Sequence, residues 1–533
     1  MPAAPAVRER PAWVCAAVLV ALVVVAYLPT FLAGFVWDDD DYVTKNEALR
    51  SLGGLARLWL EPGVTPQYYP VTFTSLWIDY HLWGLSAPGY HLTNMLLHAA
   101  NAVLVWRLLD RLGVPGALIV AALFAVHPVH VESVAWVTER KNVLSGVFYL
   151  AAALVFVTRV AGIPPGDARR RGAYVSVVVL FVLALLSKSV TATLPVALAI
   201  VLWWRDGRVR RSDLLLLVPL LALGVATGLL TALMERHRVG AVGPYWNQTF
   251  NERCLIAGRA LWFYVGKLLW PYPVTFNYER WTIDARDVLQ WVWPIAALGV
   301  GAGAWLARAR IGRGVVAALA FFAVTLSPAL GFVNVYPMRY SFVADHFQYL
   351  ASLGVLTLVG AAVVGIGGPR ARLVVAPVVV VLALSTAWQC FAYRDAESLW
   401  VDTLVKNPRS VLALQNMGTL AYAHGEHYDH RPSFEIALVD YQRARDVEPE
   451  QPDIWNSIGV VQARLGRRDE AIAAFETALR FDPRHAEAAR NLGSVLAAVG
   501  RRDEAIVHLE AAVRLQPGSR ETRAALDDVR AAR

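Results

Sequence analysis

Apolar runs recur along the first three quarters of the chain, near residues 12–35, 90–108, 113–131, 142–160, 172–187, 189–204, 213–234, 254–271, 288–306, 315–332, 348–366 and 373–391. A bilayer core is crossed by about 20 apolar residues of helix, so the pattern predicts an all-α polytopic membrane unit over residues 1–393. Basic turns separate many of the runs: Arg107/Arg111, Arg159 with Arg169–Arg171, Arg205 with Arg208, Arg210 and Arg211, Arg308 with Arg310 and Arg313, and Arg370 with Arg372. Lys and Arg are retained on the cytoplasmic side. Putting every basic turn inside requires one run not to cross; 254–271, interrupted by Arg259 and Lys267, is expected to lie in the interface or re-enter. Eleven crossings remain, in a cell (inner) membrane, with the N-terminus cytoplasmic and the C-terminus outside. The first run follows Arg8 and Arg10, is longer than a signal-peptide core and lacks a cleavage motif, so it reads as a retained anchor.

After Phe391 the pattern changes to a 34-residue period: Pro449, Pro483 and Pro517 are one period apart, as are Gly459 and Gly493, Ala471 and Ala505, and Ala478 and Ala512. Trp455, Ile458, Gly459, Ala471, Phe475, Ala478 and Pro483 follow the tetratricopeptide (TPR) pattern, in which small residues let paired helices approach and prolines mark repeat boundaries. The expected organisation is a linker at 394–410, then a TPR α-solenoid over 411–533: repeats at 411–451, 452–485 and 486–519 and a capping helix at 520–533. The first repeat, Leu414 to Pro449, fits if seven residues are inserted around His424–Ser433. Such solenoids hold peptide segments or partner proteins in a concave groove.

The 56% hydrophobic composition excludes an ordinary soluble protein, and 19 Trp and 19 Tyr suit many helix ends at a lipid–water interface. The net charge of +8 resides largely in the short arginine turns. No nucleic-acid reading motif accompanies it. Three cysteines, Cys15, Cys254 and Cys390, have no ligand-type spacing, so a disulfide framework or zinc site is unsupported.

With that topology the polar residues of the outer face gather in a few places. The first outer loop, residues 36–89, opens on Asp38-Asp39-Asp40-Asp41 and contains an amphipathic stretch, 73–83, suited to lying along the membrane. Carboxylates beside a bilayer mark either a site or a solvated loop. A transferase acting on a hydroxyl needs one carboxylate to take the proton, and a second acid beside it shifts the first one's pKa or orients the acceptor. At the third run, His127, His130 and Glu132 are close enough to ligate a metal, although Pro128 between them breaks the helix. Arg140 and Lys141 follow; guanidinium and ammonium groups complement phosphate oxygens, or anchor at the interface. Lys188 lies between two apolar runs, placed to neutralise a lipid-linked phosphate or to snorkel. Arg339, Asp345 and His346 are set among the aromatics of the last outer cluster. His91, Asn94 and His98 share one helix face, the pattern of interhelical hydrogen bonding.

These motifs in collinear order resemble the transmembrane-and-TPR O-mannosyltransferase family and its bacterial relatives, within the GT-C glycosyltransferase superfamily. The resemblance rests on FVWDDDDYVTKN (35–46), YYPVTFTSLWIDYHLWG (68–84), YHLTNMLLH (90–98), FAVHPVHVESVAWVTERKNVLS (124–145), LLSKSVTATLP (185–195), MRYSFVADHFQYLASLG (338–354) and the repeats. It implies a GT-C-like helical core that inverts the anomeric carbon of a polyprenyl-phosphate-linked sugar, such as mannose, while transferring it to a protein Ser or Thr hydroxyl at the outer face. Asp38 and Asp39 would form the acidic pair, Asp38 the base. Arg140, Lys141, Lys188, Arg339 and His346 would hold the donor's phosphate and sugar, and His91, His127, His130, Glu132 and Asp345 would line the site. Many relatives carry arginine where this chain has His346, which leaves Arg339 as the firmer cation. The resemblance leaves divalent-metal dependence open. A membrane-anchored TPR scaffold is the rival reading; a transporter would show internal repeats in the membrane half, and none is present.

Overall fold

The computed structural model describes residues 11–163, 167–241 and 243–531; Arg8 and Arg10 lie outside them. Two units divide the chain, Met1–Leu399 and Trp400–Arg533. Among the described residues of the first, seven helices are long and apolar enough to cross a bilayer: Ala12–Leu32, Ala87–Arg111, Val137–Val160, Ala168–Ser187, Arg211–Val239, Val288–Ile311 and Ala371–Tyr393. The pair Ala117–Ala125 and Pro128–Ala135, bent by 56°, raises the number to eight if counted as one span. Pro128 causes the bend, since its ring cannot donate to the preceding turn. The expected crossings near 189–204, 315–332 and 348–366 are helices of 13, 14 and 16 residues, shorter than a bilayer requires on their own. Helix Phe250–Leu269, the segment expected to stay at the interface, carries Arg253, Arg259 and Lys267 and is not among the seven.

Polar side chains hold the interior of this unit together. His98 bonds the Tyr349 hydroxyl at 2.7 Å and the Ala125 carbonyl at 3.1 Å. Asn101 donates to the same hydroxyl at 3.0 Å and to the Val143 carbonyl at 2.7 Å. Within a membrane a polar group without such a partner is costly, so these contacts fix which helices are neighbours. The helix Pro70–Trp83 occupies the stretch expected to be amphipathic; Phe73, Leu76 and Asp79 are buried while Ile78 and Leu82 are exposed.

In the second unit three helical hairpins follow the 34-residue period: Val411–Tyr428 with Arg431–Val447, Pro452–Arg464 with Arg468–Phe481, and Ala486–Ala498 with Arg502–Leu515, followed by Arg520–Ala531. The inserted residues of the first repeat lengthen both helices, to 18 and 17 residues against 13 and 14 in each of the other pairs. The segment 394–410 contains a helix, Ala396–Lys406. Close approach explains the periodic glycine: a Cβ on Gly459 would stand 2.6 Å from the Phe475 ring, and one on Gly418 2.7 Å from Tyr441. Gly459→Val forces that pair apart, and we expect the unfolding transition of the repeats to fall by an amount equivalent to about 1–3 kcal/mol, measured by thermal denaturation of the full chain.

Candidate active site

The acidic loop leaves helix Ala12–Leu32 through Trp37, whose φ of 47° is a conformation non-glycine residues adopt rarely. Strain of this kind persists where packing enforces it. Here Trp37 stacks on Trp136 at 5.5 Å and meets the edge of Phe276 at 5.3 Å. The turn separates the four aspartates into different environments. The Asp39 carboxylate is wholly buried and accepts three bonds: the Val36 N–H at 2.9 Å, and the Thr138 N–H and hydroxyl, both at 2.7 Å. Burial raises its pKa to about 7 against the pull of those donors. Asp40 accepts from Thr44 and Lys45, each at 2.7 Å, and Asp41 is exposed. Asp38 is half-buried, and among the described residues no hydrogen bond or ion pair engages its carboxylate. Burial pushes it up to about 6, with Asp41 and Glu139 adding to the rise and Lys141 opposing it.

Asp39 thereby ties the loop to Thr138, one residue before a buried charge cluster. Glu139 accepts from Lys188 at 2.8 Å through one oxygen and stands 3.2 Å from Lys141 through the other. Two ammonium groups thus face one carboxylate. Lys141 also lies 5.0 Å over the Tyr42 ring. Lys188 occupies the extended break between helix Ala168–Ser187 and the turn Ser189–Thr193. Helix Pro70–Trp83 and the residue before it clamp the break: Thr72 donates to the Ser187 carbonyl at 2.9 Å and the Tyr69 hydroxyl lies 3.3 Å from Ser189.

Arg140 points elsewhere. Its guanidinium, fully buried, pairs with Asp79 at 2.7 Å, donates to the Tyr90 carbonyl at 3.0 Å, and makes a close contact with Asn94. His346 joins the cluster's margin. Its ring nitrogen Nδ1 lies 2.9 Å from one Glu132 oxygen and its backbone N–H donates to the other at 2.9 Å, while the Trp136 ring stands 6.2 Å away. Asp345 accepts from the Tyr278 hydroxyl at 2.9 Å. Arg339 lies 5.5 Å over both Tyr245 and Tyr340 and reaches the Tyr336 hydroxyl at 3.4 Å.

The remaining histidines contact backbone or hydroxyl groups: His91 the Gly34 carbonyl at 3.3 Å, His127 the Leu268 carbonyl at 3.1 Å, and His130 the Phe124 carbonyl at 2.9 Å and the Ser352 hydroxyl at 3.1 Å. Among the described residues no three His, Cys, Asp or Glu side chains are arranged to hold a metal ion. The structure therefore brings Asp38, Asp39, Lys141, Lys188 and His346 into one neighbourhood through Thr138, Glu139 and Trp136. It also adds residues the sequence did not single out. Gln67 accepts from Tyr42 at 3.0 Å and donates to Glu235 at 2.7 Å, and the other Glu235 oxygen accepts the Tyr336 N–H at 3.1 Å. That bridge joins the 36–89 loop to the Arg339 segment.

A multi-pass helical membrane protein with a buried acid–lysine cluster and a C-terminal repeat unit is the class these features define. The chain has homologues among the TMTC-type protein O-mannosyltransferases. A Caenorhabditis elegans protein O-mannosyl-transferase is 26% identical over 303 residues, covering 53% of this chain and 41% of that protein. Protein O-mannosyl-transferase Tmtc1 of Drosophila melanogaster is 30% identical over 311 residues, 51% of this chain and 35% of that protein. Human protein O-mannosyl-transferase TMTC3 is 32% identical over 148 residues, 26% of this chain and 16% of that protein. Each match thus spans less than half of the relative's own length. A tetratricopeptide-repeat family model matches residues 422–483 and 459–520. Among solved structures, the Arabidopsis OM64 TPR domain is 16% identical and covers 23% of this chain and 96% of that one, with a TM-score of 0.21.

Proposed function

We propose that the chain is a membrane glycosyltransferase of GT-C type that moves a sugar from a polyprenyl-phosphate donor to a protein Ser or Thr hydroxyl at the outer membrane face. The observation that carries this reading is the juxtaposition of an unengaged, half-buried carboxyl at Asp38 with two lysines sharing one glutamate. Asp38 takes the acceptor hydroxyl's proton as its oxygen attacks the anomeric carbon. The bond to the phosphate oxygen breaks, the carbon inverts, and polyprenyl phosphate leaves. Negative charge grows on that phosphate, and the excess positive charge of Lys141 and Lys188 over Glu139 is fixed in place to meet it. Asp39 holds the loop in register on Thr138. His346 and Arg339 serve the sugar and outer edge of the donor, and Arg140 holds the fold beneath the site.

The topology that fits is eleven crossings with the N-terminus cytoplasmic and the TPR unit outside, where its groove binds acceptor or partner proteins. Lys188→Gln tests the phosphate role with little risk to folding, because Lys141 still neutralises Glu139. We expect kcat/KM for the lipid-linked donor to fall about a hundredfold, the scale on which losing one fixed charge-stabilising donor slows a reaction; an unchanged value removes Lys188 from the donor site. The reading as a whole is tested by mass spectrometry of exported proteins from cells with and without the gene. A hexose on Ser or Thr that disappears with the gene supports it. An unchanged modification profile supports a non-catalytic scaffold instead.

A further inference from the structure

Trp136 is 3% exposed, and its indole N–H has no hydrogen-bond partner among the described residues. A buried donor left unpaired is destabilising and rare in folded proteins, and where one persists it points to a ligand or to a function. Its surroundings are those of the site just described. Trp37, which precedes Asp38, stacks against the indole at 5.5 Å, and Phe276 meets it edge-on at 5.2 Å. The Lys141 ammonium stands 6.0 Å from the ring and the His346 imidazole 6.2 Å from it. The aromatic contacts fix the ring, and the Lys141 ammonium sets positive charge beside it.

We propose that the Trp136 indole N–H donates a hydrogen bond to an oxygen of the lipid-linked donor's headgroup, making Trp136 a substrate-positioning residue. The assignment rests on the glycosyltransferase reading above. Headgroup oxygens come from two sources, the phosphate and the sugar hydroxyls, and both accept the same bond. Phenylalanine at this position retains a ring to stack and removes the N–H, so Trp136→Phe deletes the bond while the ligand-free midpoint records the packing lost with the smaller ring.

The experiment uses the purified full chain in detergent. Binding of polyprenyl phosphate alone is measured by titration calorimetry, kcat and KM are measured with the polyprenyl-phosphate-linked hexose, and thermal midpoints are recorded without ligand. A role toward the donor gives a divided result: the Phe variant still folds, its ligand-free midpoint lowered only by the smaller ring, while its handling of the donor changes. Contact with the phosphate weakens polyprenyl phosphate binding about tenfold. Contact with the sugar leaves that binding unchanged and raises KM for the glycosylated donor about tenfold. Equal binding and equal KM in the two proteins overturn the proposal, whatever the ligand-free midpoint. If the native chain neither binds polyprenyl phosphate nor transfers sugar, the glycosyltransferase reading itself fails, an outcome distinct from equality between the variants.

Discussion

Asp38→Asn is expected to lower sugar transfer by about three orders of magnitude while the protein still inserts and folds, because loss of a positioned general base removes about 10²–10⁴ in rate. Asparagine has nearly the same shape but cannot take the acceptor's proton. The native side chain makes no hydrogen bond or ion pair among the described residues, so its replacement breaks no packing contact of that kind. The base must be ionised to act. With the carboxyl raised to about 6 by burial, transfer should climb with pH through that region and level above it. Acidification reverses this: as pH drops below the raised pKa the proton returns to Asp38 and the rate falls in proportion. A donor phosphate bound nearby adds negative charge and moves the profile further up. Initial rates of the purified enzyme between pH 5 and 8 read this directly, and a flat profile, or full activity in the Asn variant, removes Asp38 from the chemistry.

Arg140→Met should act on the fold instead. Arg140 and Asp79 form a buried pair at 2.7 Å. Removing one member of such a pair leaves a charge buried without its counter-ion, a loss of about 3–5 kcal/mol. Little folded protein should reach the membrane, and what does should melt well below the native midpoint. Adding Asp79→Leu to that variant should restore much of the loss, since well-packed apolar residues often replace a buried ion pair without penalty. Thermal denaturation of the two single variants and the double variant measures the coupling. If Arg140→Met melts with the native chain and only its KM for the donor rises, Arg140 belongs to the phosphate site and not to the scaffold.

The repeats and the acidic loop were readable because their signals are local. A 34-residue period of Gly, Ala and Pro states helix pairing directly, and Gly459 against Phe475 gives its physical reason. The aspartates stood out because acids beside an apolar run are unfavourable without a purpose. The division of labour among the four acids was not readable, since it depends on Thr138, 99 residues from Asp39 in sequence. Nor was the partner of Arg140: Asp79 lies 61 residues away, in a stretch whose composition describes only a surface helix. Adjacent in sequence, Arg140 and Lys141 read as equivalent cations; the turn of helix between them sends one to Asp79 and the other to Glu139. Gln67 and Glu235, joined across 168 residues, carry no local signature at all. Span number is not a local signal either, because three of the eleven expected runs fold as helices of 13 to 16 residues beside breaks, and length alone does not mark them as crossings.

In the proposed complex the donor's phosphate lies against Lys141 and Lys188, beside Asp38. A polyprenyl phosphate carrying a photoreactive group next to its phosphate, crosslinked to the purified chain and mapped by mass spectrometry, tests it most directly. Adducts at the start of Val137–Val160 and around Lys188, suppressed by Lys188→Gln, are the expected result. Adducts confined to other segments, unaffected by that substitution, would contradict it.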